Sequence, residues 1–127
     1  MHVRRTTAAL AILIAAASSC KGGEKAPTGG KVIVIEAHSD SSGNYFKPNQ
    51  ISAQRGDTLR FTLATGVHNV DFLADSNPGK KGLPPVSAML QLPGQTLDIP
   101  VTFEEGTYYF QCDPHALLGM KGHVVVQ

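Results

Sequence analysis

The sequence predicts an all-β sandwich of about 100 residues, carried by the chain from Lys31 onward. Three observations predict it. Short apolar segments recur at regular intervals with turn residues between them, several of them alternate apolar and polar positions strictly, and no stretch sustains a helical period. A length of 127 residues and the composition of an ordinary globular protein, rich in Gly and Pro and without Trp, leave room for one domain.

Taken in order, Val32 to Ala37 reads as a first strand and Ser39 to Asn44 as a polar loop. Tyr45 to Ser52 is extended but interrupted by Pro48, which suits an edge or a bend rather than a central strand. Arg55-Gly56-Asp57 turns the chain. In Thr58 to Ala64, Leu59, Phe61 and Leu63 share one face and Thr58, Arg60 and Thr62 the other, as in a half-buried strand. Gly66 introduces a segment in which His68, Val70 and Phe72 share a face. Residues 74 to 88 hold three prolines and two glycines and read as a long loop with one turn of helix. Alternation resumes through Leu97, Ile99, Val101 and Phe103, and two further strands follow, Thr107 to Gln111 and Lys121 to Gln127.

The N-terminus is of another kind. Arg4 and Arg5 precede an apolar run from Ala8 to Ala17, too short to span a bilayer, and small residues lead to Cys20. Residues 1–19 therefore read as an export signal. Ala17-Ser18-Ser19-Cys20 resembles a bacterial lipobox, in which Cys20 is lipidated and becomes the new N-terminus; the alternative is an ordinary cut after Ala17. Lipidation is the favoured reading, because an unpartnered thiol is unusual in an oxidising compartment. Residues 20–30 lack apolar periodicity and read as a flexible tether of roughly 18 Å r.m.s. span. The expected location is the periplasm or cell envelope, with the domain held near the membrane.

Charge excludes one class of partner. Without Arg4 and Arg5 the chain has nine basic against ten acidic residues and no basic stripe, so no nucleic acid is expected. Only Cys20 and Cys112 are present, so with Cys20 lipidated no internal disulfide can form.

Cys112-Asp113-Pro114-His115-Ala116-Leu117-Leu118-Gly119-Met120 concentrates the chemistry. Within nine residues, between two strands, it offers a thiolate, an imidazole and a thioether. Sulfur ligands favour Cu(I) and imidazole also suits Cu(II), so such a set can hold copper in both oxidation states. A second imidazole stands upstream at His68. Two histidines, one cysteine and a weak axial methionine are the ligand set of a blue copper electron-transfer centre. A single histidine on an apolar strand face is more often a hydrogen-bonded core residue, and a methionine more often a core filler. The C-x2-H-x4-M spacing with Asn69 following His68 favours ligation.

On these residues the chain resembles the cupredoxins, from about residue 31 to 127. The loop spacing, Val67-His68-Asn69-Val70 and Gly106-Thr107-Tyr108-Tyr109-Phe110 look most like plastocyanins and pseudoazurins. The resemblance implies a Greek key of seven or eight strands and one copper ion, Cu(I)/Cu(II), on His68, Cys112, His115 and Met120. It also implies that Asn69 steadies the ligand loops by hydrogen bonds and that His115 presents a ring edge at the surface. Ala116, Leu117 and Leu118 would then form a small apolar docking patch for a redox donor and acceptor met transiently by a monomer; the alternative is that Leu117 or Leu118 fills the core. Met89 reads as core, and His38 and His123 as solvent-facing.

The expected function is one-electron transfer. A copper carrier or sequestering protein would use the same ligands, and zinc accepts the same donor atoms. A copper enzyme is disfavoured, since it needs further copper sites and only His38 and His123 remain in the mature chain. Gln111 and Asp113 also flank Cys112 where multicopper oxidases have histidines.

Overall fold

Every second residue of Thr58–Leu63 is buried: Leu59, Phe61 and Leu63 point inward, and the polar residues between them are half-buried. This is the fourth of seven strands in the computed structural model, which describes residues 29–127. In chain order the strands are β1 (Val32–Asp40), β2 (Gly43–Lys47), β3 (Gln50–Ala53), β4 (Thr58–Leu63), β5 (Thr96–Pro100), β6 (Gly106–Gln111) and β7 (Lys121–Val126). Two short 3₁₀ turns, Ala74–Ser76 and Asp113–Leu118, are the only helical pieces among the described residues. The export signal, Cys20 and the tether up to residue 28 lie outside the described residues. Gly30 already packs against the Gly56 carbonyl, so closely that a Cβ there would collide with it.

The strands form two sheets, ordered β2-β1-β4-β5 and β3-β7-β6. β1 runs parallel to β4, and β3 parallel to β7; the other neighbours are antiparallel. The expected all-β sandwich of seven or eight strands is therefore what the chain forms, with seven among the described residues. Pro48 stands where the chain leaves the first sheet at β2 and enters the second at β3, each of them an edge strand, where a missing N–H costs no ladder bond.

Three elements differ from the sequence reading. The polar stretch after Ala37 is paired rather than looped, because β1 continues to Asp40 and closes a hairpin with β2 through the Asp40↔Gly43 pair. The Asp40 carboxylate accepts the Ser42 N–H at 2.8 Å and the Tyr45 hydroxyl at 2.7 Å, while Gly43 supplies a φ of +114°. The segment with His68, Val70 and Phe72 is buried as expected but makes only isolated bridges, His68↔Leu90 and Asp71↔Gln111. Its partner on one side is the irregular proline-rich loop, where the Ser87 N–H donates to the Val70 carbonyl at 3.0 Å, and that loop offers no ladder. Regular pairing after Gln95 stops at Pro100, although Val101 and Phe103 remain in the core.

The core is aromatic at its centre. Phe46, Phe61 and Phe110 meet edge to face with ring centroids 5.1–5.7 Å apart, and Phe103 packs on Tyr108 at 4.7 Å. Such pairs add about 0.5–1.5 kcal/mol each beyond their burial. The core continues upward into Cys112 and Met120, both without exposed surface. Buried Asn77 pins the loop after Phe72 to β6: its amide donates to the Leu73 and Tyr109 carbonyls and accepts the Tyr109 N–H, at 2.7–2.9 Å. The end of β6 thus has a fixed floor and a fixed flank.

Candidate metal centre

Alternation along β6 sets the first candidate ligand. Tyr108 and Phe110 point into the core, and Cys112, one step beyond the strand, does the same. Asp113 and Pro114 then start a 3₁₀ turn, for which the fixed φ of proline is well suited, and the turn carries His115 back over the cysteine. The His115 N–H donates to the Cys112 carbonyl and the Met120 N–H to the His115 carbonyl, each at 3.1 Å. Gly119 ends the turn with a φ of +91°, and the Cys112 N–H closes the loop on the Met120 carbonyl at 3.1 Å. Cys112 and Met120 are thereby backbone partners at the mouth of one closed loop.

His68 arrives on the segment that lies beside β6, bridged to its end through the Asp71↔Gln111 pair. Its backbone exchanges hydrogen bonds with Leu90 at 2.7 and 3.2 Å. Its ring Nε2–H donates to the Thr65 carbonyl at 2.9 Å, so the lone pair is on Nδ1. That Nδ1 lies 3.6 Å from Cys112 Sγ and 3.2 Å from His115 Nδ1, and Sγ lies 3.4 Å from His115 Nδ1. Ligand atoms at about 2.0–2.3 Å from one shared ion stand roughly 3.3–4.0 Å apart, close to these separations. The structure thus brings together His68, Cys112 and His115, with buried Met120 closing the same loop.

The electrostatics suit a cation. Burial holds the His68 imidazole below the usual histidine range, against the Thr65 carbonyl, and so favours the neutral ring that binds metals. Burial pushes the Cys112 thiol up, while the N–H groups of Asn69 and His115 aimed at the sulfur pull it down. A thiolate in this setting requires a neighbouring positive charge, which a bound metal ion supplies.

Asn69 is buried behind these groups. Its amide donates to Asp113 Oδ2 at 2.8 Å, and its Oδ1 accepts the Asp113 N–H at 2.8 Å. Two residues on, Asp71 and Gln111 exchange backbone hydrogen bonds at 2.9 Å. The Asp71 carboxyl is held above the usual range, first by burial and then by the charge of Asp113. Asp113 lies below it, held there by hydrogen bonds from Gln111 and Asn69.

Leu117 and Leu118 are exposed, at 102% and 68%, so neither fills the core; Ala116 and His115 are half-buried. Met89 is a correction: it faces outward, because its neighbour Leu90 takes the inward position in the bridge to His68. His38 and His123 stand on the outer strand surface, each partly covered by a tyrosine ring, Tyr45 and Tyr109. Neither belongs to the cluster of candidate ligands. Sequence reasoning missed Ser39 and Thr65, which contact the far nitrogen of His68, and the role of Gly66. A Cβ on Gly66 would stand 2.5 Å from Ser39 Oγ and 2.8 Å from His68 Nε2, and its φ is +91°. The Thr-Gly-Val-His run was the only local signal for Gly66; nothing near Ser39 marks it.

Comparison with known proteins bears on the same residues. The family model described as "Copper binding proteins, plastocyanin/azurin family" matches residues 33–127. Plastocyanin A/B of Petroselinum crispum is 35% identical over 95 residues, covering 72% of this chain and 97% of that protein. A pseudoazurin structure from Sinorhizobium superposes with a TM-score of 0.60 at 26% identity, covering 76% of this chain and 74% of the other. The oxidised plastocyanin of Dryopteris crassirhizoma gives 0.56 at 29% identity, covering 75% and 100%.

Proposed function

Because the chain belongs to the plastocyanin/azurin family of copper-binding proteins, we propose that it carries single electrons between redox partners on one copper ion held by His68, Cys112, His115 and Met120. The observation that carries the reading is the convergence of His68 Nδ1, Cys112 Sγ and His115 Nδ1 at 3.2–3.6 Å on a loop that closes on itself. Copper supplies a one-electron couple there, its reduced form suited to the sulfur donors and its oxidised form to the imidazoles.

The chain's own part is to hold still. Hydrogen bonds fix the imidazole of His68, and backbone bonds fix both ends of the ligand loop, so the donor atoms need little rearrangement when the charge changes. Burial of Cys112 and Met120 keeps water from the sulfurs. Half-buried His115 is the ligand nearest solvent, and Ala116, Leu117 and Leu118 beside it offer an apolar area of the small kind that supports brief encounters. Asn69 acts through Asp113 to keep the His68 segment and the ligand loop in register. No substrate pocket or bond-breaking step enters this reading, and it is not an enzyme's.

The same proposal puts the domain outside the cytoplasm, as a monomer. Arg4, Arg5 and the short apolar run from Ala8 to Ala17 support export, and Ala17-Ser18-Ser19-Cys20 supports a lipid anchor on Cys20. No helix among the described residues is long and apolar enough to cross a membrane.

A visible absorption spectrum of the purified protein loaded with Cu(II), before and after ascorbate, tests the reading. An intense blue thiolate-to-copper band that bleaches on reduction and returns on oxidation is expected. A pale protein holding one copper would exclude Cys112 as a ligand of Cu(II) and put a copper-carrier role in its place.

A further inference from the structure

We infer that Ser39, on β1 of the opposite sheet, is a positioning residue for the metal centre: its hydroxyl oxygen shares the Nε2 proton of His68 and so sets the aim and donor strength of Nδ1. The inference deepens the copper reading and rests on it for its electrochemical part.

Five contacts carry it. Ser39 Oγ lies 3.2 Å from His68 Nε2, beside the Thr65 carbonyl at 2.9 Å, so the single ring N–H faces two oxygens. The one hydroxyl proton of Ser39 is already committed, because it is donated to Asn44 Oδ1 on β2. Only a lone pair is left to face His68, and the nitrogen must therefore keep its proton. Ser39 also holds the second acceptor in place. Its N–H donates to Thr65 Oγ1 at 2.8 Å, and that hydroxyl donates back to the Ser39 carbonyl at 2.9 Å. The close packing at Gly66 leaves no space between Ser39 and the ring for another group.

Two acceptors on the far nitrogen pull its proton outward and put more electron density on Nδ1. A stronger nitrogen donor stabilises the more highly charged ion. Ser39 therefore favours Cu(II) over Cu(I) and lowers the reduction potential. The pairs Asn44–Ser39 and Ser39–His68 make a relay from the β1–β2 hairpin to the ligand, so the hairpin that the sequence presents as a polar loop is part of the metal centre.

The test uses Ser39→Ala, Ser39→Thr and Asn44→Ala, each in the metal-free and copper-loaded protein. In the metal-free protein, ¹⁵N NMR of the histidine rings should show His68 protonated on Nε2 in the wild type, with its ring N–H exchanging faster with solvent in Ser39→Ala. In the copper-loaded protein, Ser39→Ala should keep the blue band and raise the potential, Asn44→Ala should shift it in the same direction by less, and Ser39→Thr should return it toward the wild-type value. An unchanged ring N–H exchange rate together with an unchanged potential in Ser39→Ala would overturn the assignment, as would a rise that Ser39→Thr does not reverse. The NMR readout needs no copper, so a wild-type protein without a blue band would count against the copper reading alone, and the exchange rates would still decide the role of Ser39.

Discussion

Asn69 and Asp113, 44 positions apart, exchange two hydrogen bonds of 2.8 Å, side chain to side chain and backbone to side chain. This reciprocal pair is the shortest link between the segment that brings His68 and the loop that brings Cys112 and His115. Asn69→Ala leaves the Asp113 N–H without its partner beside a buried site. The expected cost is about 1–3 kcal/mol of stability in the metal-free protein, read as a lower denaturation midpoint. The copper-loaded variant should show a weaker or shifted blue band, since the two halves of the site are then tied only by the Asp71–Gln111 backbone bonds farther from the ligands. A variant equal to the wild type in both respects would remove Asn69 from the account.

Gly66→Ala tests how tightly the far side of His68 is packed. The left-handed backbone and the collisions with Ser39 Oγ and His68 Nε2 together should destabilise the protein by about 2–4 kcal/mol. Chemical denaturation of the metal-free protein measures this directly. A loss below about 0.5 kcal/mol would mean that the backbone there relaxes freely.

Cys112→Ser replaces sulfur with oxygen at a fully buried position. The intense visible band should vanish altogether while circular dichroism retains the β-sheet signature, because the aromatic core beneath the site does not depend on the thiol. Persistence of the band would show that another group supplies the chromophore.

Leu117→Asp alters a side chain that is wholly exposed, so stability should change by no more than about 0.5 kcal/mol and the colour should stay. Electron exchange with a redox partner should slow about tenfold, which corresponds to about 1.4 kcal/mol of docking energy. Stopped-flow mixing of reduced protein with an oxidised partner gives the rate. Unchanged exchange would take the apolar patch out of the mechanism.

Copper itself should act as a stabilising ligand. With free Cu(II) at a thousand times its dissociation constant the native state gains about 4.1 kcal/mol, enough to raise the melting temperature by about 15 °C or more for a domain of this size. Calorimetry with and without a chelator checks it, and identical melting curves would show that no metal is held.

Much of this architecture can be read directly from residue order. The inward set Leu59, Phe61 and Leu63 is visible as simple alternation, and three candidate ligands fall within nine residues because one closed loop supplies them. The His68 segment shows the limit of such reading. Alternation reports which side chains are buried; it does not report whether the backbone beside them is a strand, and here one neighbour is a proline-rich loop bonded through Ser87 and Leu90. The contact between Ser39 and His68 is harder still, since 29 residues separate them and a serine in a polar stretch carries no periodic signal. The exposure of Leu117 and Leu118 was equally open, because a short turn has too few residues to define a face.

The pairing of β3 with β7 has a consequence in time. β3 has one strand neighbour, and the residues opposite each other, such as Gln50 and His123, are separated by 73 positions. Ile51 and Ala53 therefore find their register only when nearly the whole domain is available to fold, and the loop with Cys112 and His115 lies just before the strand that completes it. Long-range pairings of this kind place a domain among the slower folders, on the order of milliseconds to seconds. A nascent chain accordingly exposes its thiol until the fold brings His68 against it, and the metal-binding geometry is among the last features to appear.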